Sequence, residues 1–301
     1  MARMHYSLAI ALFSLQSAHA QQSEAPNAVP VQVSAVTCGN PTHTAFPGGY
    51  SARRYCGGKY VEGVGSTQPV ATANAQGFGD LSAQTGGESW VVSQDGVKLL
   101  AGGYKIYFTS GGKRISGVGT TATTAGVNGL AFGQLEATTG DSYMASTYTD
   151  GVVQVAGGYV VKFVDGSAGV TGAGNTLTDA GENGVGFAAL ASESGRNYNL
   201  SLSDSANLQS FSGGYLMQVG YSLGSKVSGV GSNLSDAADI ALGFAELVEQ
   251  GGRRCTLQMS DISIVLGAFN VSYRCSSRIV QGTGATATDA GLDALTKAQA
   301  L

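Results

Sequence analysis

Four cysteines and, beyond residue 20, one histidine are the residues of this chain whose types could do chemistry. The cysteines are Cys38, Cys56, Cys255 and Cys275. Their spacings fit no zinc ribbon, and only His43 lies near the first pair. In an oxidising compartment such residues cross-link instead. Four cysteines allow three connectivities. Pairing Cys38 with Cys56 and Cys255 with Cys275 closes two loops of roughly 20 residues, each worth about 3 kcal/mol by chain entropy. The rival is a pairing between the two ends of the chain, which would close a ring.

His43 is the one histidine beyond residue 20. A Ser-His-Asp site must use it or not exist. It lies in the loop-like stretch Asn40-Pro-Thr-His-Thr44 and reads as an exposed polar residue. A metal site built on several histidines is excluded by count, which leaves carboxylates as ligands. Asp150-Gly151 and Asp165-Gly166 look like fragments of a calcium loop, yet no full loop pattern is present. A carboxylate pair for glycoside hydrolysis cannot be placed from sequence.

Gly-x-Gly occurs at Gly63-Gly65, Gly117-Gly119, Gly172-Gly174, Gly229-Gly231 and Gly282-Gly284. Ahead of a helix it invites a phosphate-binding reading. The motif recurs five times, whereas a cofactor site needs one, and its third glycine is missing. The expected role is a strand-to-helix turn needing glycine backbone angles. Thr123, Thr178, Ser235 and Thr288 follow four residues later. The last three precede Asp179, Asp236 and Asp289, which suits an N-cap hydroxyl and a first-turn acid. Asn199, Asn233 and Asn270 match the glycan acceptor pattern, which matters only in a eukaryotic secretory route. No catalytic residue, cofactor site or metal site is expected, and the chain reads as a non-enzyme.

The elements around these residues repeat. Gly-Gly-Tyr stands at Gly48-Gly49-Tyr50, Gly102-Gly103-Tyr104, Gly157-Gly158-Tyr159 and Gly213-Gly214-Tyr215, with a degenerate copy at Gly267-Ala268-Phe269. Phe78, Phe132, Phe187 and Phe244 hold a third position in register, where the last copy has Lys297. Markers in register at one period of ~55 residues signal a repeat architecture. In the third copy, Tyr143–Tyr148, Val152–Ala156 and the run from Tyr159 to Val164 read as three strands. Asp150-Gly151 and Gly157-Gly158 read as the turns between them. A glycine bulge in one long strand is the alternative to the second turn. Ala180, Gly184 and Phe187 then share one helix face. The expected fold is α+β: five copies of a three-stranded antiparallel meander plus a small-residue helix, stacked as a solenoid-like array or closed as a five-fold ring.

The expected organisation is a signal peptide over 1–20, a linker over 21–30 and a repeat domain over 31–301. The copies are approximately 31–84, 85–139, 140–194, 195–250 and 251–301. Arg3, a short apolar run and Ala18-His-Ala20 carry the signal-peptide reading. Removing residues 1–20 leaves a net charge of about −5, from 15 basic and 20 acidic residues. That charge gives no cation surplus for nucleic acid. Glycine makes up roughly 15% of the chain, about twice the usual share, without the period of collagen. No run of about 18 apolar residues suggests a membrane span. These features point to a secreted, cell-surface or periplasmic protein. Its expected role is structural or interactive, with self-association or a surface polymer or glycan as partner. A carbohydrate-binding, lectin-like adhesin is the second expectation, and a hydrolase the third.

Overall fold

The computed structural model describes residues 36–147, 151–222 and 224–301 of the chain. The expected signal peptide and linker, and Asp150 of the expected Asp150-Gly151 turn, lie outside the described residues.

Alternating apolar residues build strands, and short turns fold them back. The first unit contains β1 (Thr42–Phe46), β2 (Gly49–Cys56), β3 (Lys59–Gly65) and α1 (Gln68–Gln84). The second contains β4 (Val91–Leu100), β5 (Gly103–Ser110), β6 (Lys113–Gly119) and α2 (Ala122–Thr139). The third contains β7 (Met144–Ala145), β8 (Val152–Val155), β9 (Gly158–Asp165), β10 (Ala168–Gly174) and α3 (Leu177–Ser194). The fourth contains β11 (Leu208–Phe211), β12 (Gly214–Ser222), β13 (Ser225–Gly231) and α4 (Leu234–Gly251). The fifth contains β14 (Cys255–Thr256), a 3-10 turn at Met259–Asp261, β15 (Ile262–Val265), β16 (Ala268–Cys275), β17 (Arg278–Gly284) and α5 (Ala287–Gln299). Each unit is a three-stranded antiparallel meander followed by one helix.

The third unit corrects the strand assignment. β7 and β8 both pair with β9, so the two stretches expected as successive strands are halves of one interrupted edge strand. The run from Tyr159 is the central strand, and β10 is the third. β14 and β15 share β16 in the same way, and β4 slips register between Val92 and Val97. An alternating run cannot show whether a turn-like dipeptide reverses the chain or only interrupts it.

The glycines of Gly-Gly-Tyr also divide their work. Val155 pairs with Gly158, so the two-residue turn is Ala156-Gly157 rather than Gly157-Gly158. Gly157 takes a positive φ of 84°, while Gly158 opens the next strand. The Gly-x-Gly pairs lie within third strands and need no special φ. They make room for the helix backbone: a β-carbon on Gly117 would stand 1.7 Å from the Ala125 carbonyl oxygen. The expected strand-to-helix turn is therefore a site of close strand–helix packing.

The N-caps lie two residues before the expected hydroxyls. Thr121, Thr176 and Thr286 cap α2, α3 and α5 through their side chains, and Asn233 caps α4. Asp179, Asp236 and Asp289 do sit in the first helical turn, where the dipole favours them.

Each helix packs on the second and third strands of its own unit, and α2 to α5 also pack on the third strand and helix of the unit before. The helix phenylalanines Phe78, Phe132, Phe187 and Phe244 are fully buried. Phe78 packs at a tilt against Phe108 and Phe132 against Phe163, and Phe244 stacks on Tyr273, each across a unit boundary. Burying such a ring contributes about 2–3 kcal/mol, which offsets the cost of glycine in the helices. Among the described residues, neither a closed five-fold ring nor a solenoid is found. Nor, among the described residues, is any hydrogen bond, ion pair, ring contact or disulfide found between the first unit and the fifth. The fifth unit carries Thr283 and Lys297 where the first four carry a buried aliphatic residue and a buried phenylalanine.

Candidate functional site

The cysteines form Cys38–Cys56 and Cys255–Cys275. Cys38 bridges to Cys56, and Cys255 pairs with Cys275, across neighbouring strands in the first and last units. The staples stand in the two end units, each of which packs against one neighbouring unit. Two disulfides fit an oxidising compartment. Among the described residues, no helix is long and apolar enough to cross a membrane.

His43 is half-buried and its Nε2 lies 2.9 Å from Thr72 Oγ1 on α1. Among the described residues, no nucleophile–base–acid relay is placed around it. Among the described residues, no group of three or more His, Cys, Asp or Glu side chains is placed to hold a metal. Of the glycan-pattern asparagines, Asn233 is committed to its helix cap, where its Oδ1 accepts from Asp236 N–H.

The hydroxyls expected as caps form a relay between units instead. Thr123, Thr178, Ser235 and Thr288 each accept the backbone N–H of Ser66, Thr120, Asn175 and Ser232 in the preceding unit, at 2.8–3.0 Å. Thr178 donates onward to Thr124, Ser235 to Asp179 and Thr288 to Asp236. A second relay is made by helix asparagines. Asn74, Asn128 and Asn183 donate to the carbonyls of Val64, Val118 and Ala173. The repeat period marks these positions, but only the tertiary contact shows that they act across or beside a boundary.

Two charged clusters escaped the sequence reading. Lys105 is buried, donates to the Ser146 carbonyl at 3.1 Å and lies 5.4 Å from the Tyr107 ring centroid. Burial pushes its pKa down. Glu136 is buried on α2 and shares Lys113 with Glu88, whose other oxygen accepts from the Trp90 indole at 3.1 Å. Burial pushes the Glu136 carboxyl up. Burial acts the same way on Glu88, but hydrogen bonds from Lys113, Glu136 and Trp90 outweigh it and hold that carboxyl down. This cluster fastens the start of the second unit to its hairpin and helix.

Contact with partners falls to the surface, and one turn stands out there. Ile264, Val265 and Leu266 are exposed at the junction of β15 and β16, Leu266 completely. Leu266 has a φ of 54°, which for a leucine costs about 1–2 kcal/mol. In the other four units the following glycine is covered by an aromatic ring of the next unit: Tyr104, Tyr159, Tyr215 or Phe269. At Gly267 nothing lies within 4 Å. A second surface feature is a cleft of about 400 Å³ where the third and fourth units meet. Val153, Val155, Leu202, Asp204, Ser210 and Tyr215 line it. Compared with known proteins, the chain matches no family model and no curated sequence.

Proposed function

We propose that this is an exported structural or interaction protein, a component of the cell surface or of an extracellular layer, whose five units act as a stiff scaffold. The observation that carries this reading is Leu266. A leucine held in a left-handed conformation and turned wholly to solvent beside Val265 and Ile264 costs stability. A contact surface is the use that explains such a cost. The disulfides and the signal-like N-terminus support export.

Fractionation of the producing cells, with sedimentation and electron microscopy of the purified protein, tests the reading. Retention on the envelope or self-association, lost in Leu266→Asp with the fold intact, is the expected result. Monodisperse particles that bind no envelope fraction would overturn it.

The cleft between the third and fourth units favours a second reading, a carbohydrate-binding module. It combines a tyrosine and aliphatic side chains with Asp204 and Ser210, the mixture a sugar needs for stacking and hydrogen bonding. A glycan array without hits sinks this alternative.

A further inference from the structure

Each central strand opens on a glycine turn, and four of the five turns are covered. The rings of Tyr104, Tyr159, Tyr215 and Phe269 lie on Gly48, Gly102, Gly157 and Gly213 of the unit before. At the first of these contacts the Tyr104 hydroxyl donates to the Pro47 carbonyl at 3.1 Å, and its ring meets Phe46 edge-on. The turns that hold the rings share one backbone form, with the glycine at a φ of 79–89°. Gly267 has the same form, at 82°, and nothing lies within 4 Å of the place its β-carbon would take. Phe46, Leu100, Val155 and Phe211, two residues before their glycines, are half-buried, while their counterpart Val265 is 55% exposed.

The end of the repeat accounts for an uncovered Val265 and Gly267. It does not account for their neighbours. Where Leu266 stands, the other units have Pro47, Ala101, Ala156 and Ser212. Where Ile264 stands they have Ala45, Leu99, Gln154 and Ser210. The one turn without a ring above it therefore presents three exposed aliphatic side chains in a row, whereas the helix side of the same end is polar at Thr283 and Lys297. An apolar surface confined to a formed turn suits an occupant of the kind that the other four turns hold, an aromatic ring.

The first unit supplies such a ring. Tyr50 is its counterpart of the four covering aromatics, and among the described residues no earlier turn lies before it to cover. Ala52, Ala71 and Ala75 pack against the half-buried ring and fix its place. Arg54 and Lys297 stand at the positions that bring Phe108 onto Phe78 at an inner boundary. Two cations do not pack as two rings do, so a joint between copies is confined to ring and turn.

We propose that copies of this chain join head to tail, with Tyr50 of one copy seated on the Gly267 turn of another. Ile264, Val265 and Leu266 then flank the seated ring. The proposal rests on the reading of an associating scaffold and names its partner and its contact. The two surfaces differ, so each copy offers one ring and one turn, and the contact repeats into a run of copies. A joint of one ring holds at high local concentration, which a layer of copies supplies.

Sedimentation equilibrium at concentrations up to about 1 mM reads the association. The parent is expected to form dimers and longer runs as concentration rises. Tyr50→Ala removes the ring. Gly267→Ala fills the seat, since a β-carbon on each covered glycine would stand 2.7 Å or less from the ring above it. Each variant alone stays monomeric. Mixed one to one they form a dimer and nothing longer, because the G267A copy keeps its ring and the Y50A copy keeps its seat. Gly112→Ala, at an open turn glycine with a φ of 90°, carries the same kind of backbone strain in another hairpin and associates like the parent. Gly267→Ala meets no packed atom, so it decides the question even if Tyr50→Ala is unfolded. A monomeric parent overturns the proposal, and so does association that survives in folded G267A. Envelope retention that is lost in Leu266→Asp but kept in Y50A and G267A overturns it too, and leaves the scaffold reading standing.

Discussion

The ring of Tyr159 lies over Gly102, and its hydroxyl oxygen stands 2.1 Å from the place a β-carbon on Gly102 would take. Gly102 also holds a φ of 89°. The same pairing joins Gly48 to Tyr104, Gly157 to Tyr215 and Gly213 to Phe269. One residue pair thus explains why glycine and an aromatic recur together: each unit's turn is the seat for the next unit's ring.

Gly102→Ala therefore meets both a strained φ and an occupied space. The expected loss is about 1 kcal/mol for the backbone and a further 1–3 kcal/mol, roughly, for overpacking. Gly267→Ala meets only the first, because its surroundings are open. Denaturant unfolding of both variants checks the contrast. Equal losses would remove the seat-and-ring account.

Thr178→Val breaks a relay that spans two units. The Thr120 N–H loses its acceptor and Thr124 loses a donor. The expected cost is about 1–2 kcal/mol. Thr138→Val, at an exposed helix position with bonds only within its own helix, should stay within about 0.5 kcal/mol of the parent. Urea midpoints at constant m-value decide it.

Replacing Cys38 and Cys56 together by alanine, or Cys255 and Cys275 together, should each cost about 3 kcal/mol. The losses should be local. Hydrogen exchange should quicken first in the end unit that lost its staple, with the third unit unchanged. Uniform quickening along the chain would mean that the staples support the array as a whole.

Glu136 supplies a pH dependence. Its folded pKa is raised by burial, so the unfolded chain releases this proton at lower pH than the native protein does. The contribution of this group is fully present below its unfolded pKa and is lost as pH rises through the higher folded value. Glu88 and Lys113 face it and set how far the window extends. Glu136→Gln keeps the shape and removes the titration. The stability of the variant relative to the parent should rise with pH above about 4.5. Parallel stability curves for the two proteins would refute the assignment.

How far the sequence alone reached depends on the kind of interaction. The period of ~55 residues, the five-fold copy number and the strand–strand–strand–helix content follow from markers in register, because every unit solves the same local problem with the same residue types. The within-unit cysteine pairs were legible too, since Cys56 and Cys275 hold the same place in their units. The helix caps were read two residues late, as Thr178 instead of Thr176, because a hydroxyl beside an acid satisfies a capping pattern at either place. The third copy's edge strand was read as two strands, because alternation is blind to which neighbour a strand pairs with.

Only the tertiary structure decided what lies between units. Gly-x-Gly looks like a turn in one dimension and proves to be clearance for a helix backbone. Lys297 looks like a lost phenylalanine and proves to bond the β17 backbone, as Asp293 does. Gly267 looks like its four counterparts and differs by having nothing above it. A sequence records local preference and period, which a single unit can express. Contacts between units depend on distance in space, and residues some 55 positions apart acquire their roles only when the units pack.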